Sequence, residues 1–258
     1  MKDLKGKTAF ITGASAGIGK ACAELFAENG INLVLTARRI QRIKSLASSL
    51  EKKYGIKTAA LKLDVRNFEE VKNTISSLNG EMKQVDFLIN NAGLARGFSK
   101  IHEGDISHWN EMIDTNVKGL VFVTKLVLPF MVKRKSGHII NIGSTAGHEV
   151  YPMGNVYAAT KYAVKALTQS IRLDVLDAGI KVSSVDPGMV ETEFSLVRFS
   201  GDEKKAKNVY KGIKPLEAKD VAEAVLFCIS RSKNVNINEI ILTPKYQASS
   251  TQVIRKGK

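Results

Sequence analysis

Seven short runs rich in β-branched and apolar residues constrain this chain most: Thr8 to Thr12, Asn32 to Thr36, Thr58 to Leu63, Phe87 to Asn90, His138 to Ile142, Val182 to Val185 and Glu239 to Leu242. Helical patterns fall between most of them, over Gly17 to Glu28, Arg39 to Lys53, Phe68 to Leu78, Ile106 to Lys133, Asn155 to Leu176 and Ala218 to Ser230. Strands separated by helices pair in parallel through right-handed crossovers, and the helices cover both faces. Several of the runs are continuously apolar, as burial on both faces requires. The pattern predicts an α/β fold, a doubly wound parallel sheet of about seven strands with helices on both faces.

At 258 residues and 44 % hydrophobic the chain can bury one large core, and no linker, repeat or low-complexity stretch divides it. A single domain over 1–258 is predicted, with a tail-like end at 249–258. The charged segment Met1 to Lys7 leads into an apolar run broken by Thr12 and Gly13, too short for a signal peptide core. Leu120 to Val132 contains Lys125 and Pro129 and falls short of the roughly 20 residues of a membrane span. Cys22 and Cys228 have neither metal-type nor redox-type spacing, which suits a reducing compartment. A cytoplasmic protein without a membrane partner is expected.

The net charge of +14 raises nucleic acid as a partner. The charges are dispersed in groups such as Lys52-Lys53, Lys133-Arg134-Lys135 and Lys204-Lys205, without interleaved aromatic residues for stacking. No nucleic-acid partner is expected; a basic surface of this kind attracts a phosphorylated cofactor or anionic substrates.

The first run passes directly into Gly13, Ser15, Ala16, Gly17, Ile18 and Gly19, where a helix opens. Glycines there allow a tight turn and a close backbone approach, placing a pyrophosphate at the positive helix amino terminus. After the second run an NAD site would carry an acid for the ribose 2′-hydroxyl, whereas this chain has Arg38 and Arg39. Guanidinium groups bind a 2′-phosphate with charge-assisted hydrogen bonds, so the expected cofactor is NADP(H).

Tyr157 and Lys161 lie four apart on a predicted helix, hence on one face with Cβ atoms about 5 to 6 Å apart. A carbonyl that accepts hydride becomes an alkoxide unless a proton arrives, and a tyrosine is a natural donor. A tyrosine pKa near 10 is too high for a reversible acid/base at neutral pH, but a nearby Lys161 ammonium and the positive nicotinamide of the oxidised cofactor both favour the phenolate. Ser144, after the fifth run, can donate a hydrogen bond to the substrate oxygen. The four histidines, His102, His108, His138 and His148, show no metal-ligand spacing, and no metal is expected.

Thr12-Gly-x-x-x-Gly-x-Gly19, Asn90-Asn91-Ala92-Gly93, Asn116, Ser144, Tyr157-x-x-x-Lys161 and Pro187-Gly188 occur in the order found in the short-chain dehydrogenase/reductase family. The resemblance covers essentially the whole chain and implies a Rossmann-type fold. It implies a catalytic set of Asn116, Ser144, Tyr157 and Lys161, with Asn116 distorting its helix and Lys161 reaching the nicotinamide ribose. It further implies that Asp64 and Val65 meet the adenine, that Asn91 lines the cofactor site, and that Pro187, Gly188, Val190 and Thr192 close over the nicotinamide. A homotetramer follows from the resemblance as well.

The segment at 193–212 is rich in mixed charge and predicts a mobile lid. Glu191 to Phe199, with Asn141 to Gly147, resembles the NADP-dependent 3-hydroxy acid dehydrogenases of that family, some of which are named serine or allo-threonine dehydrogenases. A substrate of that class needs a cation for its carboxylate, and Arg96 and Arg198 are the candidates. A 3-oxoacyl carrier-protein reductase or a broad carbonyl reductase would carry the same motifs. A nucleotide sensor would need the fold without Asn116, Ser144, Tyr157 and Lys161, and a nucleic-acid binder would need a contiguous basic face.

Overall fold

The computed structural model describes residues 4–255; residues 256–258 of the predicted tail lie outside the described residues. In chain order the elements are β1 (Thr8–Thr12), α1 (Gly17–Glu28), β2 (Asn32–Ala37), α2 (Ile40–Tyr54), β3 (Thr58–Lys62), α3 (Phe68–Ser76), β4 (Val85–Asn90), α4 (Ile106–Ile113) and α5 (Gly119–Arg134). They continue with β5 (His138–Ile142), α6 (Asn155–Asp174), β6 (Lys181–Pro187), α7 (Phe194–Arg198), α8 (Glu203–Val209), α9 (Ala218–Ile229) and β7 (Glu239–Leu242).

All seven strands join one sheet in the order β3-β2-β1-β4-β5-β6-β7, and every pairing is parallel. The chain winds outward from β1 in one direction through β2 and β3, then in the other from β4 to β7. This reversal leaves a crevice at the carboxyl ends of the strands, where sheets of this kind bind ligands. Successive side chains of a strand point to opposite faces. Ala9, Ile11, Leu33 and Leu35 therefore enter one core with Phe26 of α1, Ile43 of α2 and Val225 of α9. Phe10 and Val34 enter the other, with Val71 of α3 and Val123, Val127 and Met131 of α5.

Local signals set the helix ends. The Asn67 side chain accepts from Glu70 N at the start of α3, and Glu217 and Asp220 form a capping box at the start of α9. The stretch read as one helix from Ile106 to Lys133 is interrupted: a π-helical turn over Asp114–Lys118 joins α4 to α5. Taken together, Ile106–Arg134 has the length and apolar composition of a membrane span. Its apolar side is spent in the core, where Met112, Leu120, Val123, Val127 and Met131 are buried.

The predicted lid folds into α7 and α8. Arg255 docks on it, donating from Nη1 to Val209 O and Lys211 O at 3.0 and 2.6 Å, while Ser250 N donates to Glu149 Oε1, after β5.

Candidate active site

The carboxyl ends of the strands open on a cleft of about 360 Å³. Every residue expected to bind the cofactor lines it except Gly19, which stands behind the turn. A side chain at Gly19 would place Cβ 2.5 Å from Asn91 Nδ2 and 2.6 Å from Gly13 O, so the turn closes only around a glycine. Asn91 holds the same turn from β4, donating from Nδ2 to Thr12 O at 2.8 Å.

The cleft has the chemistry of a dinucleotide site. Helix α1 has no side-chain cap at Ala16 and no acid in its first turn, so its first backbone N–H groups face the cleft without a protein acceptor. At the next strand end, Arg39 donates from Nε and Nη2 to Ser15 Oγ at 3.1 and 3.0 Å. Its Nη1 meets Glu193 Oε2 at 2.6 Å, and Arg42 Nη1 meets Glu193 Oε1 at 2.7 Å. Hydrogen bonds from Arg39 and then Arg42 hold the Glu193 carboxyl below the usual carboxylate range. Arg38 leans instead toward Glu111, 3.7 Å away, which also pairs with Arg96 at 2.7 Å and Arg66 at 3.4 Å. Asp64 lies on the cleft wall beside Val65, but Arg66 grips its carboxylate from Nε and Nη2 and lowers its pKa.

Tyr157 and Lys161 come from α6 and are both buried. In the protein alone, desolvation sets the direction of the shift for both groups. Burial raises the Tyr157 pKa above the ordinary 10, and the opposing pull comes from the Arg198 charge and Ser144. Lys161 Nζ lies 5.9 Å from the ring centre of Tyr157 and donates to Ile142 O at 2.9 Å. Desolvation pushes its ammonium down to about 8, against the Asp186 charge. Ser144 Oγ accepts from Ala146 N at 3.1 Å, which fixes the turn that presents it.

Asn116 sits in the π-helical turn, so the helix is distorted where the resemblance implied. Its amide accepts from Leu94 N and donates to Leu94 O, both at 2.8 Å, and donates to Thr160 Oγ1 at 3.0 Å. It thereby ties the loop after β4 to the residue preceding Lys161. Such turns are frequent at functional sites because they re-aim one residue without ending the helix.

The two substrate arginines separate. Arg96 is engaged by Glu111 and by Val197 O at 2.9 Å. Arg198 ends α7 inside a ring of aromatic residues: its guanidinium carbon is 4.9 Å from the centre of Tyr157, 5.3 Å from Phe194 and 6.0 Å from Tyr151. Its Nη2 donates to Tyr151 Oη at 2.9 Å, while its buried Nε has no partner among the described residues. A small pocket behind Tyr157 is lined by Arg96, Arg198, Trp109 and Asn155.

Glu193, Arg42, Tyr151 and Asp186 are in place here without having been anticipated from sequence. Only Asp186 had a readable signal, an acid inside an apolar strand, which must find partners when buried.

A sequence profile of the short chain dehydrogenase family matches residues 7–202. An NADP-dependent 3-hydroxy acid dehydrogenase of Schizosaccharomyces pombe is 44 % identical over 257 residues, covering 99 % of this chain and 99 % of that protein. Sulfoacetaldehyde reductase 2 of Chromohalobacter salexigens is 42 % identical, covering 93 % and 95 % of the two chains. The closed form of a serine dehydrogenase complexed with NADP+ superimposes with a TM-score of 0.90 at 40 % identity, covering 97 % of this chain and 100 % of that one.

Proposed function

The chain belongs to the short-chain dehydrogenase family, and from that premise we propose that it is an NADP(H)-dependent oxidoreductase of short 3-hydroxy acids. It interconverts a serine-like or 3-hydroxypropionate-like acid with the corresponding 3-oxo acid or semialdehyde. The observation that carries the substrate reading is the Arg198 guanidinium, with a buried, unpartnered Nε, beside the phenol of Tyr157. An anion two carbons from a carbonyl can meet Arg198 while its carbonyl oxygen meets Tyr157 and Ser144. The S. pombe and C. salexigens relatives are named for substrates that share this plan, an anionic group beside a hydroxyl or aldehyde.

NADP(H), when bound, supplies or accepts the hydride at the substrate carbon. The residues of this chain that would hold it are the uncapped amino terminus of α1 with Gly13 to Ile18, Arg38 and Arg39 for the 2′-phosphate, Asp64, Val65 and Asn91 along the adenosine side, and Pro187, Gly188, Val190 and Thr192 opposite. Tyr157 donates its proton to the carbonyl oxygen in reduction and takes it back in oxidation. Its raised pKa keeps it a loaded donor until a cation stabilises the anion. Ser144 holds the oxygen and Lys161 holds positive charge beneath the ring. Asn116 keeps the loop at Leu94 and the helix carrying Lys161 in register.

The proposal extends to a cytoplasmic homotetramer that takes neither nucleic acid nor membrane as a partner. Leu173 and Leu176 of α6 and its end are exposed, an apolar surface that a second copy would cover. The functional reading is tested by NADP+ reduction with serine, allo-threonine and 3-hydroxypropionate, alongside NADPH oxidation with malonic semialdehyde, sulfoacetaldehyde, a 3-oxoacyl thioester and a neutral diketone. Turnover confined to the thioester or the diketone sinks it.

A further inference from the structure

Strand β6 lies one in from the edge of the sheet, between β5 and β7, and it carries a carboxylate, Asp186, that is 1 % exposed. Its Oδ1 accepts from the Ser184 hydroxyl and its Oδ2 meets His148 Nε2 at 2.6 Å. The acid takes up the space of a missing side chain at Gly143, where an added Cβ would collide with Oδ1. Gly143 N donates to Val185 O at 2.9 Å, and the carbonyl of the preceding residue, Ile142, is the one that accepts from Lys161 Nζ. Asp186 and Lys161 thus flank a single stretch of backbone at the end of β5.

The network continues outward. His148 Nδ1 meets Lys165 Nζ at 2.9 Å, and Glu239 Oε1 lies 3.7 Å from His148 and 3.9 Å from Lys165. A neutral imidazole protonated at Nε2 satisfies both neighbours, donating to the carboxylate and accepting from the ammonium; this tautomer is assigned from its partners. Lys165 stands four residues after Lys161 on the same face of α6. It supplies a cation to His148 and Glu239.

A buried ionised acid is costly, and an apolar residue in its place is commonly no less stable, so stability alone does not account for Asp186. We propose that Asp186 is a positioning residue for the reaction, the buried counter-charge that keeps Lys161 an ammonium beside the Tyr157 phenol, with Ser184 and His148 as the donors that hold its carboxylate. This rests on the reading of Tyr157 and Lys161 as the proton-transfer pair. The charged and titratable groups facing the two residues are Tyr157 and Lys165 from α6, His148 from the turn after β5, Glu239 from β7 and Arg198 from the lid. Burial pushes Lys161 down and the Asp186 charge opposes it, which leaves the ammonium at about 8 with the acid in place.

The test is competitive acetylation of the cofactor-free protein across pH, read at Lys161 by mass spectrometry, in the wild type, Asp186→Asn and His148→Ala. Asp186→Asn is expected to lower the Lys161 midpoint by about one pH unit or more. His148→Ala, which removes the donor at Oδ2 and leaves only Ser184, moves it the same way by less, and this variant decides the matter if Asp186→Asn does not fold. The alkaline limb of carbonyl reduction moves to lower pH in step. An unchanged Lys161 midpoint in the folded variants overturns the proposal. If the wild type reduces none of the carbonyl substrates, the functional reading falls while the lysine titration still decides the role of Asp186.

Discussion

The guanidinium of Arg198 lies 4.9 Å from the ring centre of Tyr157, nearer than the Lys161 ammonium at 5.9 Å. The cation closest to the phenol therefore comes from the lid rather than from the helix that carries the tyrosine. It reaches the ring only when α7 is docked.

Arg198→Ala is expected to raise KM for a 3-hydroxy acid or its semialdehyde by roughly tenfold or more, the worth of one charged hydrogen bond, while KM for a neutral ketone changes little. Arg198→Lys restores only part of the loss, because an ammonium cannot stack flat between Tyr157, Tyr151 and Phe194. Steady-state kinetics with both substrate types checks this, and equal losses on both would remove the anchor.

Arg39→Ala is expected to weaken NADP+ binding by about tenfold or more and NAD+ binding little, as read by fluorescence titration. Glu193→Gln should tighten NADP+, because Glu193 holds the Arg39 group that a 2′-phosphate needs. The Glu193 pKa is lower folded than unfolded, so its contribution is present above the ordinary 4.5 and lost as pH falls through the folded value. Limited proteolysis of the lid should accelerate in that acid range in the wild type and be less pH-dependent in Glu193→Gln.

Asn116→Ala and Ser144→Ala should fail in different ways. The first strands the buried N–H and C=O of Leu94, at about 1 to 3 kcal/mol each, and should lower Tm by several degrees. The second should lower kcat by roughly a hundredfold while costing only about 1 kcal/mol of stability through the lost cap at Ala146. Calorimetry beside kinetics separates them; a wild-type kcat in Ser144→Ala would exclude it from the chemistry.

Gly19→Ala should abolish measurable NADP+ binding by titration calorimetry, since the new methyl meets Asn91 Nδ2 and Gly13 O and forces the turn open. Wild-type affinity in this variant would mean that the turn is not where the pyrophosphate sits.

The fold was legible because the five inner strands are buried almost throughout and so carry apolar runs, and the half-exposed edges β3 and β7 still kept Thr58 to Leu61 and Ile240 to Leu242. The break at Asn116 was legible from the resemblance and from an asparagine inside a helix, but a π-helical turn adds a single residue and leaves the hydrophobic period nearly intact, so its extent was hidden. Arg96 and Arg198 could not be told apart, because what distinguishes them is long-range: Glu111 takes one, and Tyr151, Phe194 and Tyr157 surround the other. The depth at which Tyr157 lies was hidden for a related reason. Spacing on a helix announces the neighbouring lysine but says nothing of the depth of burial that outweighs it.

Helix α7 is five residues long, with Glu193 immediately before it and Arg198 at its end, a span of about 7 Å. One end holds Arg39 and Arg42, and the other lies over the phenol of Tyr157. So short a helix cannot bend within itself; it rocks as a unit. On the proposed reading, a 2′-phosphate that drew Arg39 away from Glu193 would alter the seat of Arg198, and the group that distinguishes NADP from NAD would become a mechanical input to the recognition of the substrate's charge.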